Sequence, residues 1–157
     1  MNAQLATIMT GFSLLQGFTP QGAQRLLERG EVREFSPGEI VFNEGDPPAS
    51  VLLVLDGKAQ VYIGRAGGDM VLADAGPGTI LGELAVLCGI PRAASVRASE
   101  KTLTLQWNAA AFRNLLLRHP LLSERIFKES LRTLVDKERS LIDSLMALSK
   151  GAVKPGD

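Results

Sequence analysis

The sequence predicts an α+β domain: an antiparallel β-barrel or jelly roll (a double-stranded β-helix) flanked by N-terminal and C-terminal α-helices. Three observations carry this. Ten of the sixteen glycines and five of the eight prolines lie between Ser36 and Pro91 and cut that stretch of the chain into short runs. Those runs are apolar or alternating and recur at about ten-residue spacing, as the strands of an antiparallel barrel do. Both ends carry a helical period instead. For 157 residues one domain is expected. It spans 1–157, helical over 1–30, barrel over about 31–107 and helical again over 108–148, with a frayed tail over 149–157.

Taken in order, Thr19 suits a helix N-cap and Pro20 the first helical position. Ala23, Leu26 and Leu27 then line one face before Gly30 ends the helix. Ser36-Pro37-Gly38-Glu39 suits a type II turn. Asp56-Gly57 between Val51–Leu55 and Lys58–Ile63 predicts a hairpin, and Gly64–Asp69 a second, longer hairpin loop returning into Met70–Ala73. Gly76-Pro77-Gly78 breaks the chain again. Strands resume at Ser95–Ala98 and Thr102–Trp107, the latter alternating polar and apolar residues as one buried face requires. Trp107, at its end, reads as core or rim. Asn108 can cap a helix through Arg118, and Pro120 forces a break after His119.

A long helix is then expected from about Leu121 to Leu148. Phe127, Leu131, Leu134, Glu138, Leu141, Leu145 and Leu148 follow a 4-3 spacing, and Glu138 is the one polar member. Nearly three heptads make a seam, widened by Val135, Ile142 and Met146, so a homodimer through helix 121–148 is expected. Glu138 has two readings, a solvated spot against its own barrel or a position near a bound base.

Composition excludes several classes of function. Lysine plus arginine numbers 17 and aspartate plus glutamate 17, so bulk charge gives no reason to expect nucleic acid. The one cysteine, Cys88, forbids an internal disulfide and a thiolate metal cluster, and reads as a small buried hydrophobe. The one histidine, His119, forbids multi-histidine metal sites and leaves little for a catalytic triad; it reads as a dipole partner at a helix C-terminus. No metal and no enzymatic activity are expected. Apolar runs such as Val51–Leu55 fall far short of the roughly 20 residues that span a bilayer, and Met1–Gly11 has no signal-peptide layout. The default location is cytoplasmic.

Chemistry concentrates between Leu81 and Val96. Gly82 lets backbone approach a ligand, and a short helical turn starting at Glu83 presents the free N–H groups of Leu84 and Ala85 to an anion. Arg92, nine residues after Glu83, brings a planar fork of donors to a phosphate. Standing in an empty cradle, it is expected to be exposed. Glu83, acceptor-only when ionised, must face a hydroxyl or a cation. Anion, hydroxyl and apolar walls together describe a nucleotide.

Gly82-Glu83-Leu84-Ala85 and Pro91-Arg92-Ala93-Ala94-Ser95-Val96 resemble, in residues and spacing, the phosphate-binding cassette of the cyclic nucleotide-binding domains. The Pro37-Gly38-Glu39, Glu44-Gly45-Asp46 and Asp56-Gly57 turns resemble the barrel glycines of that family, and the resemblance covers about 12–148. It implies a ligand-sensing regulatory module in which Arg92 holds the cyclic phosphate and Glu83 the ribose 2′-hydroxyl. Amides of Leu84, Ala85 and Ala93 would complete the cradle, with Gly82 and Ser95 among the ligand-binding positions. It further implies cyclic AMP as ligand, with cyclic GMP weaker. Cyclic-GMP-selective members often place threonine where Ala93 stands, and alanine leaves the guanine 2-amino group without a partner. Ligand would reposition the C-terminal helices for a downstream effector that the sequence does not name. Two alternatives stand beside this: a degenerate cyclic-nucleotide-binding fold serving as an interaction scaffold, and the ligand domain of a larger regulator.

Overall fold

The computed structural model describes residues 2–152. Helix α1 (Asn2–Thr10) and a 3-10 turn (Ser13–Leu15) precede α2 (Pro20–Glu28). Thr19 caps α2 as its sequence requires, the side chain accepting from Gly22 N at 3.0 Å. Eight strands follow: β1 (Glu31–Phe35), β2 (Ile40–Phe42), β3 (Ser50–Asp56), β4 (Ala59–Ile63), β5 (Met70–Ala75), β6 (Ile80–Leu81), β7 (Ser95–Ala98) and β8 (Thr102–Asn108). Helix α3 (Glu83–Cys88) interrupts them between β6 and β7. Helices α4 (Ala109–Arg118) and α5 (Pro120–Ala152) close the chain.

The strands form two antiparallel four-stranded sheets, ordered β1-β8-β3-β6 and β2-β7-β4-β5. No strand is shared between them, so the closed barrel expected from the sequence is instead a pair of sheets. Phe35, Leu52, Val54 and Leu81 of the first meet Ala59, Ala75, Val96 and Ala98 of the second in one core. A second core lies under the helices, where Val51, Leu53, Leu105 and Trp107 pack on Met9, Leu26, Phe112 and Ile126. Trp107 is fully inside it, its Nε1 donating to Leu26 O at 3.0 Å.

The Asp56-Gly57 hairpin does not form. Strand β3 pairs with β6 and β8, whereas β4 pairs with β5 and β7, so the turn carries the chain from one sheet to the other. Gly57 has a φ of +87°, and a Cβ on it would collide with Lys101 O and Thr102 Cα. A type I′ turn centred on Asp56-Gly57 needs positive φ at both residues, and among the described residues no non-glycine residue has it. Thr102 fixes the corner, its Oγ1 accepting from Lys58 N at 3.1 Å and bonding to Lys58 O at 3.0 Å. The β4–β5 hairpin does form, with Ile63 opposite Met70. The alternation of Thr102–Trp107 also means something other than one buried face. Strand β8 lies between β1 and β3 and is covered on both sides, so Thr102 and Thr104 are buried too, hydrogen-bonded to backbone carbonyls.

Helix α5 starts at Pro120 and continues beyond Leu148, so Ser149–Ala152 is helical rather than frayed; the rest of the expected tail lies outside the described residues. Its first three turns bury Leu122, Ile126 and Ser130, and Arg125 Nη1 donates to Leu14 O (3.1 Å) and Gln16 O (2.5 Å). From Leu131 to Lys150 every side chain is exposed.

Candidate functional site

The segment 82–95 leaves β6 through a left-handed Gly82 (φ +83°), which is the N-cap of α3. A Cβ there would collide with Nη1 of Arg92, so glycine is required both by the turn and by the arginine beside it. Leu84 and Ala85 lie in the first turn of α3, where backbone amides have no carbonyl behind them in the helix. Arg113 of α4 fixes the far side of α3, its Nη2 donating to Val86 O at 2.9 Å.

Arg92 returns toward Gly82, and the β2–β3 loop holds its backbone. Gly45 N donates to Arg92 O (2.8 Å), and Arg92 N donates to Asp46 O (2.9 Å). Its side chain is only 4% exposed, which corrects the expectation of an exposed arginine in an empty cradle. Nη1 donates to Gly82 O at 2.8 Å and Nη2 to Ser50 O at 2.6 Å, while the guanidinium lies 4.1 Å over the Phe42 ring. Burial pulls its pKa down, and the carboxylates of Asp46 and Glu83 push back up. Two of its five donors are therefore occupied by protein carbonyls. Its Nε is buried with no partner, and a buried unpaired donor on a cation is costly.

Glu83 is half-buried under α5, and its Oε1 accepts from Ser130 Oγ at 2.9 Å. Burial raises its pKa above the ordinary carboxylate value. Its own backbone amide, Ser130 and Lys137 oppose that rise, and Glu129 reinforces it. Ser95 is buried, with its hydroxyl accepting from Glu44 N at 2.8 Å, so it ties the β2–β3 loop to the segment. Ala93 is exposed beside Arg92. The sequence-predicted positions thus gather on one stretch, with Arg92 and Glu83 both engaged by protein groups. Sequence reasoning missed Ser50, Phe42 and Ser130. The first acts through its carbonyl, the second is one apolar residue among many, and a serine on an amphipathic helix looks like any solvated position.

One side reading is overturned here and another is qualified. Cys88 is exposed, because it occupies the last turn of the six-residue α3, where the chain reverses toward Pro91. His119 is the C-cap of α4, but burial first, and then Arg29, Arg118 and Arg25, lower its pKa. That lowering works against the cationic form that would pair with the helix dipole. Glu138 is exposed on the free length of α5.

Among the described residues no group of three or more His, Cys, Asp or Glu side chains is placed to hold a metal ion, and no helix is long and apolar enough to cross a membrane. Comparison with known proteins agrees with the geometry. The chain is 34% identical over 103 residues to a cAMP-dependent protein kinase regulatory subunit of Colletotrichum orbiculare, covering 66% of this chain and 26% of that protein. It is 29% identical over 111 residues to the acetyltransferase Pat of Mycolicibacterium smegmatis, covering 71% of this chain and 33% of that protein. The chain therefore spans about a third or less of these relatives' lengths. A CRP-like cAMP-activated global transcriptional regulator of Mycobacterium tuberculosis is 26% identical, covering 93% of this chain and 66% of its own. The structure superposes on the Thermus thermophilus catabolite activator protein with a TM-score of 0.73 at 29% identity, covering 85% of this chain and 62% of that one. The family model for the cyclic nucleotide-binding domain matches residues 32–119, and it is to that family that this chain belongs.

Proposed function

We propose that the chain is a regulatory module that binds cyclic AMP in preference to cyclic GMP and answers by moving α4 and α5. Arg92 holds the cyclic phosphate with the amides of Leu84, Ala85 and Ala93, and Glu83 accepts from the ribose 2′-hydroxyl; Gly82 and Ser95 keep the segment in shape. The observation that carries this reading is the buried Arg92 Nε, a cationic donor without a partner on a side chain whose Nη1 reaches Gly82, the N-cap of α3; an anion at that helix start satisfies orphan donors. The strand orders support a jelly-roll winding around that site. The preference for adenine rests on Ala93, which offers no hydroxyl to a guanine 2-amino group. An unmade hydrogen bond there is worth about 1–2 kcal/mol, roughly five- to thirtyfold in affinity.

Calorimetric titration with both nucleotides tests the reading. Cyclic AMP is expected to bind more tightly, Arg92→Ala to lose most binding, and Ala93→Thr to improve cyclic GMP alone. At 100 times the dissociation constant the ligand stabilises the fold by about 2.7 kcal/mol. Absence of binding by either nucleotide at millimolar concentration defeats the proposal. It would favour the degenerate scaffold, to which one observation already points: Arg92 and Glu83 are occupied by Gly82 O, Ser50 O and Ser130.

A further inference from the structure

The partner of Glu83 is itself a hydroxyl. Ser130 Oγ donates to Glu83 Oε1 at 2.9 Å, and Ser130 is 5% exposed, the last covered side chain of α5 before the exposed stretch begins at Leu131. A serine hydroxyl and a sugar hydroxyl make the same charge-assisted bond to a carboxylate. Upstream of Ser130, α5 is held by the buried Leu122 and Ile126 and by Arg125 on the carbonyls of Leu14 and Gln16. Ser130 is therefore delivered to Glu83 by a fixed piece of helix and not by a chance rotamer of a loose one. Arg92 meanwhile gives two of its donors to backbone carbonyls while its Nε stays unpaired, so without ligand Glu83 has an internal partner and Arg92 is only partly satisfied.

We propose that Ser130 is an internal competitor for the site: its hydroxyl holds on Glu83 the place that the hydroxyl of a bound nucleotide takes, so the ligand must release α5 at this point in order to bind fully. The proposal rests on the reading of Glu83 as the acceptor for the ligand's hydroxyl, and it assigns to Ser130 a part in setting affinity and in distinguishing ligands with and without that hydroxyl. A nucleotide lacking the 2′-hydroxyl leaves the Glu83–Ser130 bond in place and gains nothing from its removal.

The test titrates the intact protein and Ser130→Ala with cyclic AMP and with 2′-deoxy cyclic AMP, and follows amide hydrogen exchange over residues 127–137 without ligand. Alanine is a better helix former than serine, so α5 survives the change. Ser130→Ala is expected to bind cyclic AMP about tenfold more tightly, to bind the 2′-deoxy analogue with unchanged affinity, and to exchange faster over 127–137. Weaker or unchanged binding of cyclic AMP by Ser130→Ala overturns the competitor while leaving the proposed function standing, and so does an equal gain for both ligands. Unchanged exchange overturns it as well, whatever the ligand does. Failure of either nucleotide to bind either protein overturns both readings together.

Discussion

The two ends of α5 share one helix and two different fates. Up to Ser130 the helix rests on its own domain through Leu122, Ile126 and Ser130. From Leu131 onward it stands clear, with Leu131, Leu134, Leu141, Leu145 and Leu148 all exposed. The difference lies in which stripe remains apolar. The covered stripe steps by four through Leu122, Ile126 and Ser130; beyond it the positions three and seven residues on are the polar Thr133 and Lys137, and Leu134, four residues on, belongs to the neighbouring stripe. The neighbouring stripe starts at Phe127 and stays apolar to Leu148, Glu138 excepted. One face is written for the domain and ends where the domain ends, and the other is written for something beyond it. The 4-3 spacing of that second face is the one that two paired helices share, which is the basis for expecting a second copy of the chain there.

Changes on the two stripes should separate cleanly. Ile126→Ala opens a cavity in the covered stretch, and urea unfolding should show a loss of about 3 kcal/mol. Leu141→Glu on the free stretch should leave that unfolding nearly unaltered when dilute, yet raise the dimer dissociation constant about a hundredfold in sedimentation equilibrium. A 17 kDa species alone at about a hundred micromolar in the unaltered protein would remove the second copy from the account. Arg125→Met keeps the apolar stem and removes the bonds to Leu14 O and Gln16 O, with an expected loss of about 1–2 kcal/mol. The smallest effect belongs to His119, at the joint where α4 passes into α5. Its pKa is lowered in the fold, so the folded state binds fewer protons than the unfolded chain. Stability that is complete above the ordinary imidazole value should fall as the pH drops through that value and on through the lowered one. Thermal melts of His119→Asn across that window should show a flatter pH profile than the unaltered protein.

The sequence made the elements legible where one residue type dictates a local outcome. Thr19 before Pro20, Asn108 before Ala109 and the loop at Gly64–Asp69 all do what their chemistry demands. It failed where the outcome belongs to the packing of distant segments. Asp56-Gly57 carries the signature of a hairpin, but the requirement at Gly57 comes from the approach of Lys101 and Thr102, forty-odd residues away. The site divides in the same way. Gly82, Glu83 and Arg92 stand out by spacing, whereas the burial of Arg92 and the partner of Glu83 are set by Ser50 and Ser130, 42 and 47 residues distant. An arginine that will lie on backbone carbonyls cannot be told from an exposed one by its neighbours in sequence.

In the proposed movement of α5, its exposed length is a lever with its fulcrum at Ser130. The 21 residues from Leu131 to Gly151 extend about 31 Å at the helical rise. A tilt of roughly 10° at the fulcrum would sweep the far end through about 5 Å, the pitch of one helical turn. A sideways displacement of about that size carries the helix end near Leu148 beyond contact range of whatever lies against it. The mechanical advantage comes from length alone, so shortening α5 by whole turns should reduce the swing in proportion while leaving events at Glu83 and Arg92 unchanged.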